Sequence, residues 1–136
     1  MIPGSGRLAG PGSVAVTGEG SRERRLEAPR VLLRTGTFPE PEGWNSDFAS
    51  LSPELVDALA AAGVVLVGID TPSVDPFDDA ELESHRALRR HGIANLEGLV
   101  LGHVPPGRYT LIALPLPLEG ADASPVRAAL APLPPS

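Results

Sequence analysis

The sequence contains no cysteine, no lysine and only five aromatic residues, which are one Trp, one Tyr and three Phe. Without cysteine, disulfides, thiolate metal ligands and cysteine nucleophiles are excluded. No apolar run approaches the roughly 20 residues that a membrane-spanning helix needs. The first residues also lack the basic and apolar regions of a signal peptide. We therefore expect a cytoplasmic protein without a membrane partner.

The sequence also lacks an excess of positive charge, because its net charge is −6 at pH 7. Nucleic-acid binding needs a concentrated basic face, so no nucleic-acid partner is expected. The hydrophobic fraction of 42% and the charged fraction of 21% are typical of a globular domain. Residues 1–28 open on Gly, Pro and Ser without a period. We expect this segment to be poorly ordered or divergent, with one short strand at Val14–Val16, and residues 29–136 to form the folded domain.

Apolar strands alternate with helices in the rest of the chain, which predicts an α/β (mixed α+β) fold. Ser52, Pro53 and Glu54 together form a helix start, because they supply a cap, a first-turn proline and a favourable charge. In chain order we expect a strand at Arg30–Arg34, a loop at 35–50, a helix from Ser52 to Gly63, a strand buried on both faces at Val64–Ile69, a helix capped by Asp78 or Asp79 and ended by Gly92, an extended segment at Ile93–Leu101, a strand at Tyr109–Leu116 and a short extended stretch at 124–128.

Polar side chains follow the buried strand directly, at Asp70, Ser73 and Asp75. The carboxyl end of a strand is where α/β proteins place functional groups. The alternative is a turn in which Asp and Ser bond their own backbone. His85 and Glu97 are candidate metal ligands, since imidazole nitrogen and carboxylate oxygen both bind zinc, although their spacing alone is a weak signal.

Two further groups of side chains allow alternative interpretations of their function. A Ser-His-Asp triad could be assembled from Ser73, His85 and Asp75, but nothing marks Ser73 as activated. Trp44 and Phe48 lie in the loop at 35–50, where they either plug the edge of the core or face a ligand. His91 is expected at a helix end and His103 in an exposed turn.

Several blocks of the chain, in order, resemble the C-terminal half of the cyclase family, and within it the bacterial kynurenine formamidases (arylformamidases). The blocks are Arg-Val-Leu-Leu-Arg-Thr at 30–35, Gly-Ile-Asp-Thr-Pro-Ser-Val-Asp-Pro at 68–76, His85, His-Gly-Ile at 91–93, Leu-Glu-Gly-Leu at 96–99, Leu-Ile-Ala-Leu-Pro-Leu at 111–116 and Gly-Ala-Asp-Ala-Ser-Pro-Val-Arg-Ala at 120–128.

The resemblance implies a swivelling β/β/α-type fold that is incomplete at its N-terminus. It implies hydrolysis of N-formyl-L-kynurenine to L-kynurenine and formate, a step of tryptophan catabolism, by a metal-activated water. Two divalent metal ions, expected to be Zn²⁺, would be held in the complete site, and His85 and Glu97 fall on two of the family's ligands. We expect the two ligands to be held in position by side chains that do not themselves bind the metal, namely Asp70, Ser73 and Asp75. The family is usually oligomeric, so a homodimer is expected of the full-length protein.

The chain departs from the family at the remaining ligands, which the family takes from a His-x-x-x-His-x-Asp motif in its N-terminal half. No such motif occurs here, and the three histidines are His85, His91 and His103. No catalytic side chain is therefore assigned in this chain. A catalytic zinc normally keeps three protein ligands, so we expect weak metal binding and no appreciable hydrolysis from these residues alone. The chain is then either part of a hydrolase or a non-catalytic remnant that acts as a binding or partner module.

Overall fold

The computed structural model describes residues 13–17, 28–133 and 135, which include two helices and a six-stranded sheet. The elements in chain order are β1 (Ser13–Thr17), β2 (Arg30–Leu33), α1 (Pro53–Ala61), β3 (Leu66–Ile69), α2 (Glu83–His91), β4 (Ala94–Leu96), β5 (Gly107–Ile112) and β6 (Ala129–Pro132). The strand order is β4-β3-β2-β1-β5-β6. The strands from β4 to β1 pair in parallel with their neighbours. Strand β5 pairs antiparallel with both β1 and β6. The predicted mixed α/β fold is confirmed.

Strand β1 lies between β2 and β5 and contains the short strand predicted at Val14–Val16. The rest of the segment predicted to be poorly ordered or divergent, residues 1–12 and 18–27, lies outside the described residues, so that expectation stays a prediction. Among the described residues, neither helix has the length and apolar character to cross a membrane.

Helix α1 begins as the sequence predicts. The Ser52 hydroxyl accepts a hydrogen bond from the Leu55 N–H at 3.2 Å, which satisfies one of the unpaired donors at the helix start. Pro53 occupies the first turn, where its missing N–H costs nothing. The helix buries Val56 and Leu59. Gly63 follows with φ +82°, a left-handed conformation that glycine adopts without a steric penalty.

The two faces of the parallel strands pack against different partners. Val31, Val67 and Ile69 join a core cluster with residues of α1 and α2. Leu32 lies on the opposite face with Leu101 and other apolar side chains. The alternation follows from the two-residue period of a strand. Gly68 also lies on this second face, where an added Cβ would collide with the ends of the Leu32 and Leu99 side chains, so a larger residue would require these leucines to move.

Three strand predictions need correction. The predicted strand at Val64–Ile69 begins only at Leu66, and Val65 is 48% exposed, so the run is not buried on both faces throughout. The strand predicted at Tyr109–Leu116 is Gly107–Ile112, because the prolines that follow cannot donate to a neighbouring strand. In the predicted extended segment Ile93–Leu101, only Ala94–Leu96 pairs in the sheet.

The start of α2 also differs from the prediction. Leu82, not Asp78 or Asp79, is the N-cap residue, but the Asp79 carboxylate accepts the N–H groups of Glu81 and Leu82 in the preceding turn and of Glu83, the first residue of the helix. Leu82 then adopts a left-handed conformation with φ 52°, and the helix runs from Glu83 to His91. Gly92 ends it as predicted, with φ +66°. The short stretch predicted at 124–128 precedes β6 instead of forming it.

Candidate metal centre

The candidate site lies where β3, β4 and α2 come together. Asp70 directly follows β3, Glu97 directly follows β4, and His85 is in the first turn of α2. Because β3 and β4 are parallel and adjacent, their carboxyl ends meet at one edge of the sheet. This edge is the usual position of ligand sites in α/β proteins.

Asp75 and His85 form the best-defined contact of the site. Asp75 Oδ2 lies 2.6 Å from His85 Nδ1, and the Asp75 side chain has no exposed surface. The same carboxylate accepts the backbone N–H of Ser84 at 2.6 Å and of His85 at 3.1 Å. These N–H groups belong to the first turn of α2, where a helix has no internal acceptors for its donors. Asp75 therefore both holds the helix start and orients the imidazole ring.

The environment of Asp75 favours its charged form. Burial by itself would raise the pKa of Asp75, but hydrogen bonds from the His85 ring and from the Ser84 and His85 N–H groups outweigh burial and lower that pKa. A carboxylate at this position stabilises the tautomer of His85 that carries its proton on Nδ1. In that tautomer Nε2 has its lone pair available to a cation.

The second nitrogen of His85 faces Glu97. Nε2 lies 3.1 Å from Glu97 Oε1, and this oxygen also accepts the Val74 N–H at 3.0 Å. Two ligands of one zinc ion, each about 2.0–2.2 Å from the metal, lie about 3.0 Å apart at an angle of about 90° and about 3.4 Å apart at the tetrahedral angle. The separation of these two atoms therefore fits a shared divalent cation. The buried carboxylate behind His85 matches the arrangement in which a ligating histidine donates its other N–H to an acceptor.

The other two residues expected to support the ligands have different surroundings. The Ser73 hydroxyl accepts the Asp75 N–H at 3.1 Å, so it helps to fix the turn that carries Asp75. Asp70 binds the loop after β2: its carboxylate accepts the Thr35 and Gly36 N–H groups, each at 3.0 Å, and the Thr35 hydroxyl at 2.7 Å. The role of Thr35 was not apparent from the sequence, because it depends on the pairing of β2 with β3.

The ligand set in this part of the chain is small. Among residues 13–17, 28–133 and 135, no group of three or more His, Cys, Asp or Glu side chains could hold a metal ion. His85 and Glu97 are two potential ligands, whereas the nearby Asp75 carboxylate is occupied by the His85 ring and by the Ser84 and His85 N–H groups. A catalytic zinc site usually has three protein ligands. The residues present thus fit part of a metal site.

The alternative Ser-His-Asp triad is not formed. Both ring nitrogens of His85 lie against carboxylates, those of Asp75 and Glu97, and the Ser73 hydroxyl is engaged with the Asp75 backbone. His91 lies at the end of α2 as predicted, and its Nε2 is 2.7 Å from Asp57 Oδ1. His103 is exposed.

The whole fold resembles two solved structures of hydrolases. One is a potential metal-dependent hydrolase with cyclase activity, 26% identical in sequence, with a TM-score of 0.73 over 88% of this chain and 64% of that chain. The other is a predicted metal-dependent hydrolase from Bacillus stearothermophilus, also 26% identical, with a TM-score of 0.72 over 88% of this chain and 62% of that chain. No protein-family profile matches the sequence.

These similarities confirm the fold predicted from the resemblance to the cyclase family. This chain spans less than two thirds of the length of either solved protein. More than a third of each of those proteins therefore has no counterpart in this chain.

Proposed function

We propose that this chain carries the C-terminal part of the metal site of a metal-dependent amidohydrolase, with His85 and Glu97 as two of its metal ligands. The observation that carries the proposal is the series of close contacts from buried Asp75 to His85 Nδ1 and from His85 Nε2 to Glu97. The similarity to two structures described as metal-dependent hydrolases supports it.

The roles of the side chains follow from their contacts. Asp75 holds the proton of His85 on Nδ1 and fixes the direction of the ring. Glu97 is held by the Val74 N–H, so its Oε1 points toward His85 Nε2. A divalent metal bound there would polarise a carbonyl group and activate water at neutral pH. The metal is proposed to be zinc because nitrogen and carboxylate oxygen ligands suit it.

For the complete protein we propose the hydrolysis of N-formyl-L-kynurenine to L-kynurenine and formate, with two metal ions, in a cytoplasmic homodimer. The ordered sequence blocks at 68–76 and 120–128, which resemble those of kynurenine formamidases, support this substrate.

A second candidate function has its own support. Because the described residues contain no group of three metal ligands, the chain could act as a non-catalytic remnant or partner module with the same fold. The gene sequence upstream separates the two proposals. An in-frame segment encoding His-x-x-x-His-x-Asp favours the hydrolase, whereas a stop codon or an unrelated gene favours the non-catalytic module.

The ligand assignment is tested by titrating the chain with zinc in a calorimeter. We expect weak binding to the unaltered chain and no measurable binding to His85→Ala or Glu97→Ala. His91→Ala is the matched control, since His91 lies on the same helix and also contacts an aspartate. Unchanged zinc binding by His85→Ala would show that His85 is not a metal ligand.

The activity is tested with purified 136-residue chain, N-formyl-L-kynurenine and zinc. We expect no appreciable release of formate, because two ligands neither hold a metal tightly nor fix its geometry. Turnover at ordinary enzyme rates would show that the site is complete and that the ligand count is wrong.

A further inference from the structure

The face of the sheet that carries Leu32 also carries a large apolar cavity. Leu111 of β5 and Leu130 of β6 are directly opposite each other in the register, so their side chains project to the same face. Both line the cavity with Leu32 of β2, and Leu101 lines it from the segment after β4. The cavity has a volume of about 640 Å³. This volume is within the range of about 300–1,000 Å³ that is typical of sites for small organic molecules.

The walls of this cavity are aliphatic. Among the described residues that line it, Tyr109 is the only aromatic one. The Tyr109 hydroxyl donates a hydrogen bond to the Pro105 carbonyl at 2.8 Å, so its polar end is already satisfied. Aliphatic side chains give close contact without the ring geometry that aromatic pairs prefer. The walls therefore suit a flexible alkyl chain.

Arg127 places a positive charge at the lining of this cavity. Arg86 and Arg90 each pair with a carboxylate. Arg127 is exposed and forms no ion pair with any residue that the structure describes. A guanidinium group presents a planar fork of donors that matches the two oxygens of a carboxylate. Arg127 is therefore available to a carboxylate ligand.

The segment that carries Arg127 is held at both ends. Before it, the Ser124 hydroxyl accepts the Leu116 N–H at 3.0 Å. After it, Ala129 pairs with Ile112 at the start of β6. The backbone of Arg127 is thus fixed beside the cavity before a ligand arrives, which lowers the entropic cost of binding.

Two other lining residues can carry a charge, Glu97 and His103. The Glu97 carboxylate repels an anion, so a carboxylate ligand is directed away from Glu97 and toward Arg127. His103 is exposed, and its protonated form would add to the attraction. The charges at the lining therefore favour one position for an anionic group, at Arg127.

We propose that this cavity binds an aliphatic carboxylate, with its alkyl chain against Leu111 and Leu130 and its carboxylate at Arg127. This site goes beyond the proposed hydrolase function and does not depend on it. Neither Arg127 nor the leucine walls take part in the candidate metal centre, so binding needs no metal.

The ligand class is tested by calorimetric titration of the 136-residue chain with octanoate, butyrate and 1-octanol. A chelator first removes any metal, so that a bound ion cannot recruit the carboxylate. We expect saturable binding of octanoate. Butyrate should bind at least about tenfold more weakly, because it has four fewer methylene groups to bury. No saturable binding of octanoate, or equal affinities for octanoate and butyrate, would overturn the proposal.

Two matched variants test the position of the carboxylate. Arg127→Gln should weaken octanoate by about fivefold, as expected for an exposed charge pair, and leave 1-octanol unchanged. Arg108→Gln removes the same charge from β5 at a residue that does not line the cavity, so octanoate affinity should not change. Equal weakening of octanoate by both variants, or of both ligands by Arg127→Gln, contradicts the assignment to Arg127.

The position of the alkyl chain is tested by nuclear magnetic resonance of leucine methyl groups during the octanoate titration. We expect the methyl signals of Leu111 and Leu130 to shift and that of Leu59 to stay, since Leu59 belongs to the core under the helices. Leu111 and Leu130 do not line the neighbouring cavity beside Trp44, so their shifts also distinguish the two cavities. Octanoate binding without shifts at Leu111 and Leu130 would place the ligand elsewhere and overturn the proposal.

A third variant separates this site from the metal centre. Glu97→Gln should lose zinc binding if the proposed function is right. It should bind octanoate at least as tightly as the unaltered chain, because a repelling charge is removed from the lining. Weaker octanoate binding by Glu97→Gln would contradict the proposed position of the carboxylate, whatever the zinc result.

Discussion

Helix α2 carries a histidine–aspartate contact at each end, and the two contacts differ in their surroundings. His85 Nδ1 lies 2.6 Å from Asp75 at the start of the helix, and His91 Nε2 lies 2.7 Å from Asp57 at its end. The two imidazole rings are similarly exposed, at 35% and 31%. The carboxylates are not, because the Asp75 side chain is 0% exposed and that of Asp57 is 53% exposed.

The third group at each contact also differs. The other ring nitrogen of His85 faces the Glu97 carboxylate, whereas Asp57 also binds Arg90 at 2.8 Å. A carboxylate beside the imidazole attracts a cation, and a guanidinium there repels one. The same residue pair is therefore suited to metal binding at one end of the helix and to an exposed ion pair at the other. The difference lies in burial and in the neighbouring charge, and each can be altered separately.

The largest expected effect is on stability. Asp75→Ala removes a buried charged acceptor and leaves the Ser84 and His85 N–H groups without it, so the free energy of unfolding should fall by about 3 kcal/mol. Asp57→Ala is the control and should have a much smaller effect, because exposed ion pairs contribute little. Urea denaturation of the metal-free chain measures both. Equal losses for the two variants would mean that burial does not distinguish the contacts.

A smaller effect is expected on metal affinity. Asp75→Asn keeps the size of the side chain but removes the charge that orients His85, so zinc binding should weaken by about 10- to 100-fold. Asp57→Asn should leave zinc affinity unchanged, since Asp57 contacts the other histidine. Calorimetric titration of both variants tests this difference. A loss of zinc affinity in Asp57→Asn would indicate that the metal binds at the C-terminal end of α2, near His91, and would contradict the assignment to His85.

The exposed contact should respond to acid. Hydrogen bonds from His91 and then Arg90 lower the pKa of Asp57 below its usual 3.8, although burial slightly opposes them. The folded state therefore releases this proton more readily than the unfolded state. The stabilisation is complete above the unfolded pKa and is lost as the pH falls through the lowered folded pKa. From about pH 5 to about pH 2, a range that spans the ordinary pKa of an aspartate, Asp57→Asn should lose less stability than the unaltered chain. A parallel decline would show that folding does not lower the pKa of Asp57.

The smallest expected effect is that of salt. At about 1 M salt the screening length falls to about 3 Å, which weakens exposed charge pairs much more than buried ones. The difference in unfolding free energy between the unaltered chain and Asp57→Asn should therefore shrink. The difference for Asp75→Asn should persist, and its disappearance would show that water reaches Asp75.

Local sequence signals predicted several elements because their causes are local. The start of α1 depends on Ser52 and Pro53, and the end of α2 depends on Gly92, which adopts a left-handed conformation. The N-cap of α2 was predicted wrongly at Asp78 or Asp79: the helix begins at Glu83, Asp79 accepts only the Glu83 N–H, and Asp75 accepts the next two donors, the Ser84 and His85 N–H groups. Such a contact depends on the path of the turn and has no period in the sequence.

The candidate site shows the same division. Residue types and the ordered family-like blocks identified His85 and Glu97, but their 3.1 Å approach depends on β4 pairing beside β3. Asp70, Ser73 and Asp75 were all expected to support the ligands, but the sequence did not show that Asp75 contacts the ring of His85 whereas Asp70 binds the loop at Thr35. It also left Trp44 and Phe48 equivalent, whereas packing buries one and exposes the other.

The sequence by itself determined the α/β class, the start of α1, the end of α2 and the identity of the two candidate ligands. These follow from hydrophobic period, capping chemistry and ligand type, which act within a few residues or through recognisable blocks. Only the tertiary structure decided which histidine lies between two carboxylates. His85 has buried Asp75 at Nδ1 and Glu97 at Nε2. Burial and neighbouring charge are set by residues far apart in the chain, and they separate His85 from His91 where the residue types alone do not.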